Sequence, residues 1–139
     1  NVYEGINKDL LFAGIILHDM DKLNELESNT LGMADYTVEG QLLGHIPMGI
    51  LSIQRMSDDL SIDPEITLML QHMILTHHGI PEYGSPKPPM IIEAEILHLL
   101  DLMDARIYDF TESLQNVEPG EFSEPVWSMD KRRLYKHKI

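Results

Sequence analysis

Hydrophobic residues recur at helical spacing in four stretches of the chain, and this pattern predicts four main helices. The predicted helices cover about 7–20, 38–56, 64–78 and 90–114. Pro47 lies inside the second stretch and is expected to kink that helix or to start a new one, because proline removes a backbone hydrogen bond. No strand-like alternation of polar and apolar residues recurs. The pattern therefore favours an all-α fold.

The segments between and after these helices predict the domain organisation. Residues 27–36 are polar and include Gly32, so they are expected to form a loop. Residues 79–89 are rich in proline and glycine and are expected to form a loop with no room for a helix. Residues 122–129, "FSEPVWSM", are typical of a short strand or an extended arm. We therefore predict a helical domain over 1–116, followed by an irregular C-terminal arm or tail over 117–139.

Length and composition narrow the class of protein. A chain of 139 residues is long enough for one domain with a real core. The absence of cysteine excludes disulfides and thiolate zinc sites, and it is typical of a cytoplasmic protein. No apolar run approaches the ~18 residues of a membrane span, so no membrane partner is expected.

The net charge of −13 is spread unevenly along the chain. Five of the ten Lys and Arg residues lie within the last nine positions, whereas the first 129 residues hold five basic and 22 acidic residues. Such an acidic body repels nucleic acid unless positive charge intervenes. Bound divalent metals would supply that charge, and so would the basic tail.

Several polar residues interrupt the predicted apolar helix faces. Each predicted helix contributes at least one of them: His18 and Asp19, then His45, then His77 and His78, and finally Asp101. Taken singly, each has an ordinary explanation, such as a hydrogen-bonded core histidine or a helix-end charge. Together they predict a divalent-metal centre, because burying imidazole and carboxylate is costly unless they are paired or ligate a metal. A carboxylate among imidazoles also suits a two-metal hydrolytic site.

The order of these residues resembles the HD-domain superfamily of metal-dependent phosphohydrolases, whose fold is a helical bundle. In that superfamily a His-Asp pair is followed by Lys three residues later, and a His, a His-His pair and an Asp follow on later helices. The matching residues here are His18, Asp19, Lys22, His45, His77, His78 and Asp101.

Longer stretches are similar to one branch of this superfamily, the YhaM-type 3′–5′ exoribonucleases. They read "YTVEGQLLGHIPMG", "LTHHGIPEYGSPKPPMIIEAEILHLLDLMDAR" and "EFSEPVWSMDKRRLY". The resemblance implies hydrolysis at the 3′ end of single-stranded RNA, or of DNA. It also implies an OB-fold nucleic-acid-binding domain upstream and assembly into a homo-oligomer.

The resemblance also implies a role for each matching residue. Asp19 would bridge two divalent metals, manganese in the first place, with iron, cobalt, nickel and zinc as alternatives. The expected ligands of one metal are His18 and Asp101, and those of the other are His45, His77 and His78. Asp19 and Lys22 would be catalytic, with Lys22 contacting a phosphate oxygen. Asp104 would orient a ligand His or cap a hydrogen-bond network behind the ligands. Tyr83 would either stack on a nucleobase or pack within its loop.

Two features depart from the family pattern. The family takes its first ligand His from a helix before the His-Asp pair, and no His precedes His18 here, so the chain is expected to begin inside the domain. Asp21 stands where the family often has Gly. Its charge would either strengthen cation binding or hinder the approach of phosphate, and both interpretations stay open.

Two other functions fit the same ligand pattern. One is a cyclic-dinucleotide phosphodiesterase of the HD-GYP type, although the loop after His78 lacks the Gly-Tyr-Pro order of that type. The other is a regulatory domain that binds metal or nucleotide without catalysis, which the absent first His makes plausible.

Overall fold

The computed structural model describes residues 4–30 and 32–139, and most of this backbone is helical. The helices are α1 (Lys8–Leu17), α2 (Lys22–Glu25), α3 (Val38–Leu43), α4 (His45–Leu60), α5 (Pro64–Thr76) and α6 (Ile92–Leu114). Among the described residues, the strands are β1 (Leu26–Ser28) and β2 (Ala34–Tyr36), which form one two-stranded sheet. The predicted all-α class is confirmed, because this sheet is a minor addition to a helical bundle.

The chain forms two compact units, Asn1–Leu99 and Leu100–Ile139, with the boundary inside α6. The predicted division into 1–116 and 117–139 stays a prediction. Of the helices in the described part of the chain, none is long and apolar enough to cross a membrane.

Helices α1 and α5 pack closely in the first unit. A methyl group on Gly14 of α1 would lie 2.1 Å from the terminal carbon of Met73 on α5, so glycine permits the close approach. Two clusters of buried residues form the core around these helices: Ile53, Leu70 and Ile74 in one, and Met73, Ala94 and Leu97 in the other. Full burial of each large apolar side chain contributes roughly 1.5–3 kcal/mol.

The first predicted helix is shorter than expected. α1 ends at Leu17 instead of near residue 20, residues 18–21 form a turn, and α2 begins at Lys22. The turn therefore carries His18 and Asp19 out of the regular helix and between two helical segments.

The second predicted helix is two helices, and the break precedes Pro47. Gly44 has φ +75° and separates α3 from α4, which begins at His45. Pro47 is the third residue of α4, where no backbone donor is required, so it neither kinks nor starts the helix. His45 is consequently placed in the first turn and not in the interior of an apolar helix.

Two segments predicted as loops contain short regular structure. Residues 27–36 include most of the β1–β2 hairpin, in which Glu27 pairs with Asp35. Residues 79–89 include a single 3₁₀ turn at Pro81–Tyr83. Both predictions were wrong on this point because three-residue elements are too short to give a periodic signal. The third and fourth predicted helices agree with α5 and α6 to within two residues.

Candidate metal centre

Asp19 lies in the turn between α1 and α2, and three histidines direct Nε2 towards its carboxylate. Oδ1 of Asp19 is 3.4 Å from His45 Nε2 and 3.6 Å from His77 Nε2. Oδ2 is 3.4 Å from His18 Nε2 and accepts a 2.7 Å hydrogen bond from Lys22 Nζ. The structure thus brings together residues from the turn after α1, the first turns of α2 and α4, and the C-terminal end of α5, which are far apart in sequence.

Backbone carbonyls fix the orientation of two of these rings. His18 Nδ1 is 2.8 Å from the carbonyl oxygen of Ile15, and His77 Nδ1 is 2.7 Å from that of Ile74. Because a carbonyl oxygen only accepts, Nδ1 must carry the hydrogen in each ring. The lone pair of each neutral ring is therefore on Nε2, the atom that faces Asp19.

Glu25, to which no motif in the sequence pointed, orients His45. Its Oε2 is 3.2 Å from His45 Nδ1, and its Oε1 accepts a 3.0 Å hydrogen bond from the backbone N–H of His45. Glu25 thus caps the N-terminus of α4 and holds the His45 ring with Nε2 towards Asp19. The two residues are 20 positions apart, so sequence spacing gives no signal for the pair.

The loop after α5 holds His78 against His77. His78 Nδ1 is 2.6 Å from the carbonyl oxygen of Tyr83, and its backbone N–H donates to Ser85 Oγ at 3.1 Å. The rings of His77 and His78 are 4.1 Å apart between centroids. The ring of Tyr83 is exposed, and its predicted stacking on a nucleobase stays a prediction.

Three of the converging atoms are buried and have no hydrogen-bond partner among the residues that the structure describes: Asp19 Oδ1, His45 Nε2 and His77 Nε2. Asp19 Oδ1 is an acceptor, and so is each Nε2 when its ring is neutral and carries the hydrogen on Nδ1. Lone pairs therefore face each other across less than 4 Å. An unsatisfied buried polar atom costs about 1–3 kcal/mol. A divalent cation would satisfy all three at once, and a set of imidazole and carboxylate donors without thiolate suits such a cation. His45, His77 and His78 also offer ligand atoms within 4.8 Å of one another.

The protonation states fit the same role. Burial is the main cause that lowers the pKa of His77 to about 3, and the neighbouring His78 and His18 add to the effect. Burial raises the pKa of Asp19, but hydrogen bonds and charge from His18 and Lys22 outweigh it, so the pKa lies well below its ordinary value. At neutral pH His77 is therefore a neutral imidazole and Asp19 a carboxylate, the protonation states that metal ligation requires.

Asp21 is buried in the same turn, with only 2% of its surface exposed. Its Oδ1 accepts hydrogen bonds from Ser52 Oγ on α4, at 3.1 Å, and from Asn24 Nδ2, at 2.9 Å. Asp21 thus ties the turn that carries Asp19 to the helix that begins with His45.

The remaining predicted residues lie elsewhere on the helices. Asp101 and Asp104 are on α6 beyond residue 99, in the second unit, and their assigned roles stay predictions. His72 Nε2 accepts a hydrogen bond from the backbone N–H of Met90. His98 Nδ1 is 2.9 Å from the carbonyl oxygen of His77, so His98 also contacts the backbone of a candidate ligand.

The fold and the site define a helical protein with a partly buried cluster of histidines around one aspartate, a set of donors that suits a divalent metal. The chain is 49% identical over 136 residues to the 3′–5′ exoribonuclease YhaM of Bacillus licheniformis, and 46% identical over 136 residues to that of Bacillus subtilis. The enzyme of the same name from Oceanobacillus iheyensis is 48% identical over 135 residues. These matches cover 97–98% of the chain and confirm its resemblance to the YhaM-type exoribonucleases.

The chain spans 42–43% of the length of these curated relatives. The matched region is the C-terminal part of the relatives. No protein-family model matches the chain, and no solved structure matches it significantly.

Proposed function

We propose that the chain is the catalytic domain of a metal-dependent 3′–5′ exoribonuclease that acts on single-stranded RNA. The observation that carries this proposal is that Nε2 of His45 and of His77, which have no hydrogen-bond partner in the described part of the chain, converge on Asp19 Oδ1 while an acceptor holds Nδ1 of each ring. The names of the relatives supply the reaction, since all three are called 3′–5′ exoribonucleases.

The residues of the site divide into ligands and substrate-binding groups. We propose that Asp19 and His18 would hold one divalent metal and that His45, His77 and His78 would hold a second, with Asp19 bridging. The assignment of Asp101 to the first metal, and of Asp104 behind it, rests on the resemblance alone. Bound divalent metals supply Lewis-acid polarisation of the phosphodiester and lower the pKa of water.

The chain's own groups prepare the site for an anionic substrate. Lys22 is about half exposed, and its Nζ donates to the Asp19 oxygen that His18 also faces. We propose that this ammonium turns to a phosphate oxygen of RNA and stabilises negative charge that develops there. The exposed ring of Tyr83 is then a surface on which the terminal base stacks.

The finer properties follow from the resemblance and from composition. We propose manganese as the metal, two ions per site, an OB-fold domain upstream in the longer protein, and assembly into a homo-oligomer. A cytoplasmic location rests on the absence of cysteine and stays a prediction.

The decisive experiment measures manganese-dependent hydrolysis of 3′-labelled single-stranded RNA, with cyclic di-GMP as a second substrate. Asp19→Ala is expected to abolish RNA hydrolysis and leave the circular-dichroism spectrum unchanged, because it removes the shared carboxylate. Asp9→Ala is the matched control, since Asp9 is an exposed acid in the first turn of α1.

Each alternative function has a distinct outcome in this experiment. Normal turnover by the Asp19→Ala variant would contradict the proposal. Cleavage of cyclic di-GMP in preference to RNA would favour the HD-GYP type. Metal binding with thermal stabilisation and no cleavage of either substrate would favour a regulatory domain.

A further inference from the structure

Residues 120–136 of the second unit form an irregular hairpin, which we call the arm. Its backbone bonds run from Gly120 N–H to the Lys136 carbonyl and from Ser123 N–H to the Leu134 carbonyl, at 2.7 and 2.8 Å. Nearer the tip, Val126 N–H donates to the carbonyl of Arg132 at 2.9 Å. The arm thus has a defined backbone even though it holds no long strand.

The arm buries small and aliphatic residues and exposes its aromatic rings. Ser123, Met129 and Leu134 are buried. Trp127, Phe122 and Tyr135 are 77%, 56% and 48% exposed. Aromatic side chains are usually buried at least in part, so three exposed rings on one short hairpin indicate an interaction surface.

Two of the rings are paired with cations. Lys131 Nζ lies 4.3 Å from the centroid of the Trp127 ring, and the Arg133 guanidinium carbon lies 5.8 Å from that of Phe122. The Phe122 ring is in turn 5.1 Å from the ring of Tyr135, its cross-strand neighbour. The arm therefore repeats one combination, a flat ring beside a positive charge.

The cations of the arm are available to an external anion. Within residues 4–30 and 32–139, neither Lys131 nor Arg133 forms an ion pair with a carboxylate. Arg133 Nε donates to the Ser123 carbonyl at 3.0 Å, which holds the guanidinium in place without neutralising it. A fixed, unneutralised guanidinium is suited to a phosphate group.

Rings that stack with bases, beside cations that contact phosphates, are what a single-stranded nucleic acid requires of a protein surface. We propose that the arm binds single-stranded RNA, with one base against Trp127 and another against Phe122 and Tyr135. The proposal rests on the proposed function in one respect, because the RNA that the arm would bind is the substrate of the proposed exoribonuclease. The charge distribution supports it: residues 1–116 repel polyanions, and half of all Lys and Arg residues lie in the last nine positions.

A second copy of the chain is the competing occupant of this surface. Protein interfaces are enriched in aromatic residues but depleted of Lys at their buried centres. Here Lys131 sits over the most exposed ring of the arm. A nucleic acid therefore fits the combination of groups better than a second copy does.

The test uses Trp127 as a built-in reporter, because it is the only tryptophan in the 139-residue chain. A short single-stranded RNA is titrated into the chain in EDTA, so that binding is measured without metal or cleavage. We expect the emission of Trp127 to be quenched, with an affinity that falls as salt rises. Anisotropy of a labelled RNA gives the affinity independently.

Substitutions in the arm separate stacking from charge. Trp127→Leu is expected to weaken binding roughly tenfold, and Trp127→Phe to restore most of the affinity. Lys131→Gln is expected to weaken binding several-fold and to reduce the salt slope by about one. Tyr36→Leu and Lys87→Gln are matched controls, since they change an exposed ring and an exposed lysine of the first unit, and they should leave the affinity unchanged.

A small chromogenic phosphodiester with manganese tests the metal centre separately. The arm variants are expected to hydrolyse it like the unchanged chain while losing affinity for RNA. Unchanged RNA affinity in both Trp127→Leu and Lys131→Gln would overturn the proposal. So would Trp127 emission that responds to the concentration of the chain but not to RNA, which would assign the arm to self-association. Binding of RNA by a chain that hydrolyses neither substrate would uphold the arm and refute the exonuclease.

Discussion

The metal centre and the arm place their polar groups in opposite ways. In the first unit, buried atoms of Asp19, His45 and His77 face each other, and none of the three has a hydrogen-bond partner within residues 4–30 and 32–139. In the second unit, Lys131 and Arg133 stay at the surface, beside rings that are themselves exposed. The first arrangement is costly unless a small cation enters it, whereas the second is available to a large polyanion without rearrangement.

This difference shows how function can be recognised in each region. In the helical unit the informative feature is a polar residue where burial is expected, because such a residue must be satisfied. In the arm the informative feature is an aromatic side chain that is exposed to solvent. Substitutions that affect one region and leave the other intact test whether the metal centre and the arm act independently.

The largest effect is expected for His77→Ala. This substitution removes a fully buried proposed ligand, so the affinity for manganese should fall by more than about 100-fold, beyond the cost of losing a partner that only orients a ligand. Isothermal titration calorimetry measures the change. His137→Ala, which alters an exposed histidine of the second unit, should leave metal affinity intact. Equal losses in both variants would contradict the assignment of the centre to the first unit.

Acid should destabilise the metal-free chain through the same residue. The pKa of His77 is lowered from 6.5 to about 3, so between these values the unfolded state binds a proton that the native state does not. The free energy of unfolding should therefore fall as pH drops through this window, by roughly a few kcal/mol. Urea denaturation at several pH values measures it. His77→Gln should flatten the dependence, and an unchanged slope in that variant would rule out His77 as its cause.

Removal of the group that orients His45 should have a smaller effect. Glu25→Ala is expected to lower metal affinity roughly 10–100-fold, because the His45 ring loses the acceptor at Nδ1 and α4 loses its cap. Glu25→Gln keeps an acceptor for the backbone N–H and should lose less. Glu27→Ala, on the exposed face of β1, is the control for calorimetry. RNA affinity in EDTA should be the same in all three variants.

The smallest effect is expected for Ser123→Ala in the arm. Ser123 Oγ accepts a hydrogen bond from Leu134 N–H and donates one to the Glu124 carbonyl, and it is buried. Its loss should destabilise the hairpin by about 1 kcal/mol. Hydrogen exchange at Leu134 should become faster while manganese affinity is unchanged. A fall in manganese affinity would show that the two regions do not act separately.

The sequence predicted much of the helical unit and little of the fine structure. The stripes of α5 and α6 are long and periodic, and Asp63-Pro64 is a strong start signal, so these helices were predicted to within two residues. The break at Gly44 was predicted at Pro47 instead, because proline is the stronger helix breaker in general. The β1–β2 hairpin has three-residue strands, which give no periodic signal.

The sequence predicted the part of the candidate site that gives a local signal and missed the contacts that depend on the tertiary structure. His18, Asp19, His45, His77 and His78 were recognised as polar residues on apolar helices, and the structure places them together. Glu25 was missed because it lies among acidic residues of ordinary appearance and acts across 20 positions. Asp21 was recognised as unusual, but its bonds to Ser52 and Asn24 depend on the tertiary structure.

The carbonyl bonds to Nδ1 have a consequence for how this site tolerates mutation. Ile15 and Ile74 orient His18 and His77 through main-chain oxygens, so any residue that keeps the helix supplies the same acceptor. The residues that hold these two rings can therefore be substituted without loss of the hydrogen bond to Nδ1. Two of the three rings that face Asp19 are therefore oriented by the path of the backbone, and a substitution changes their orientation only by bending a helix.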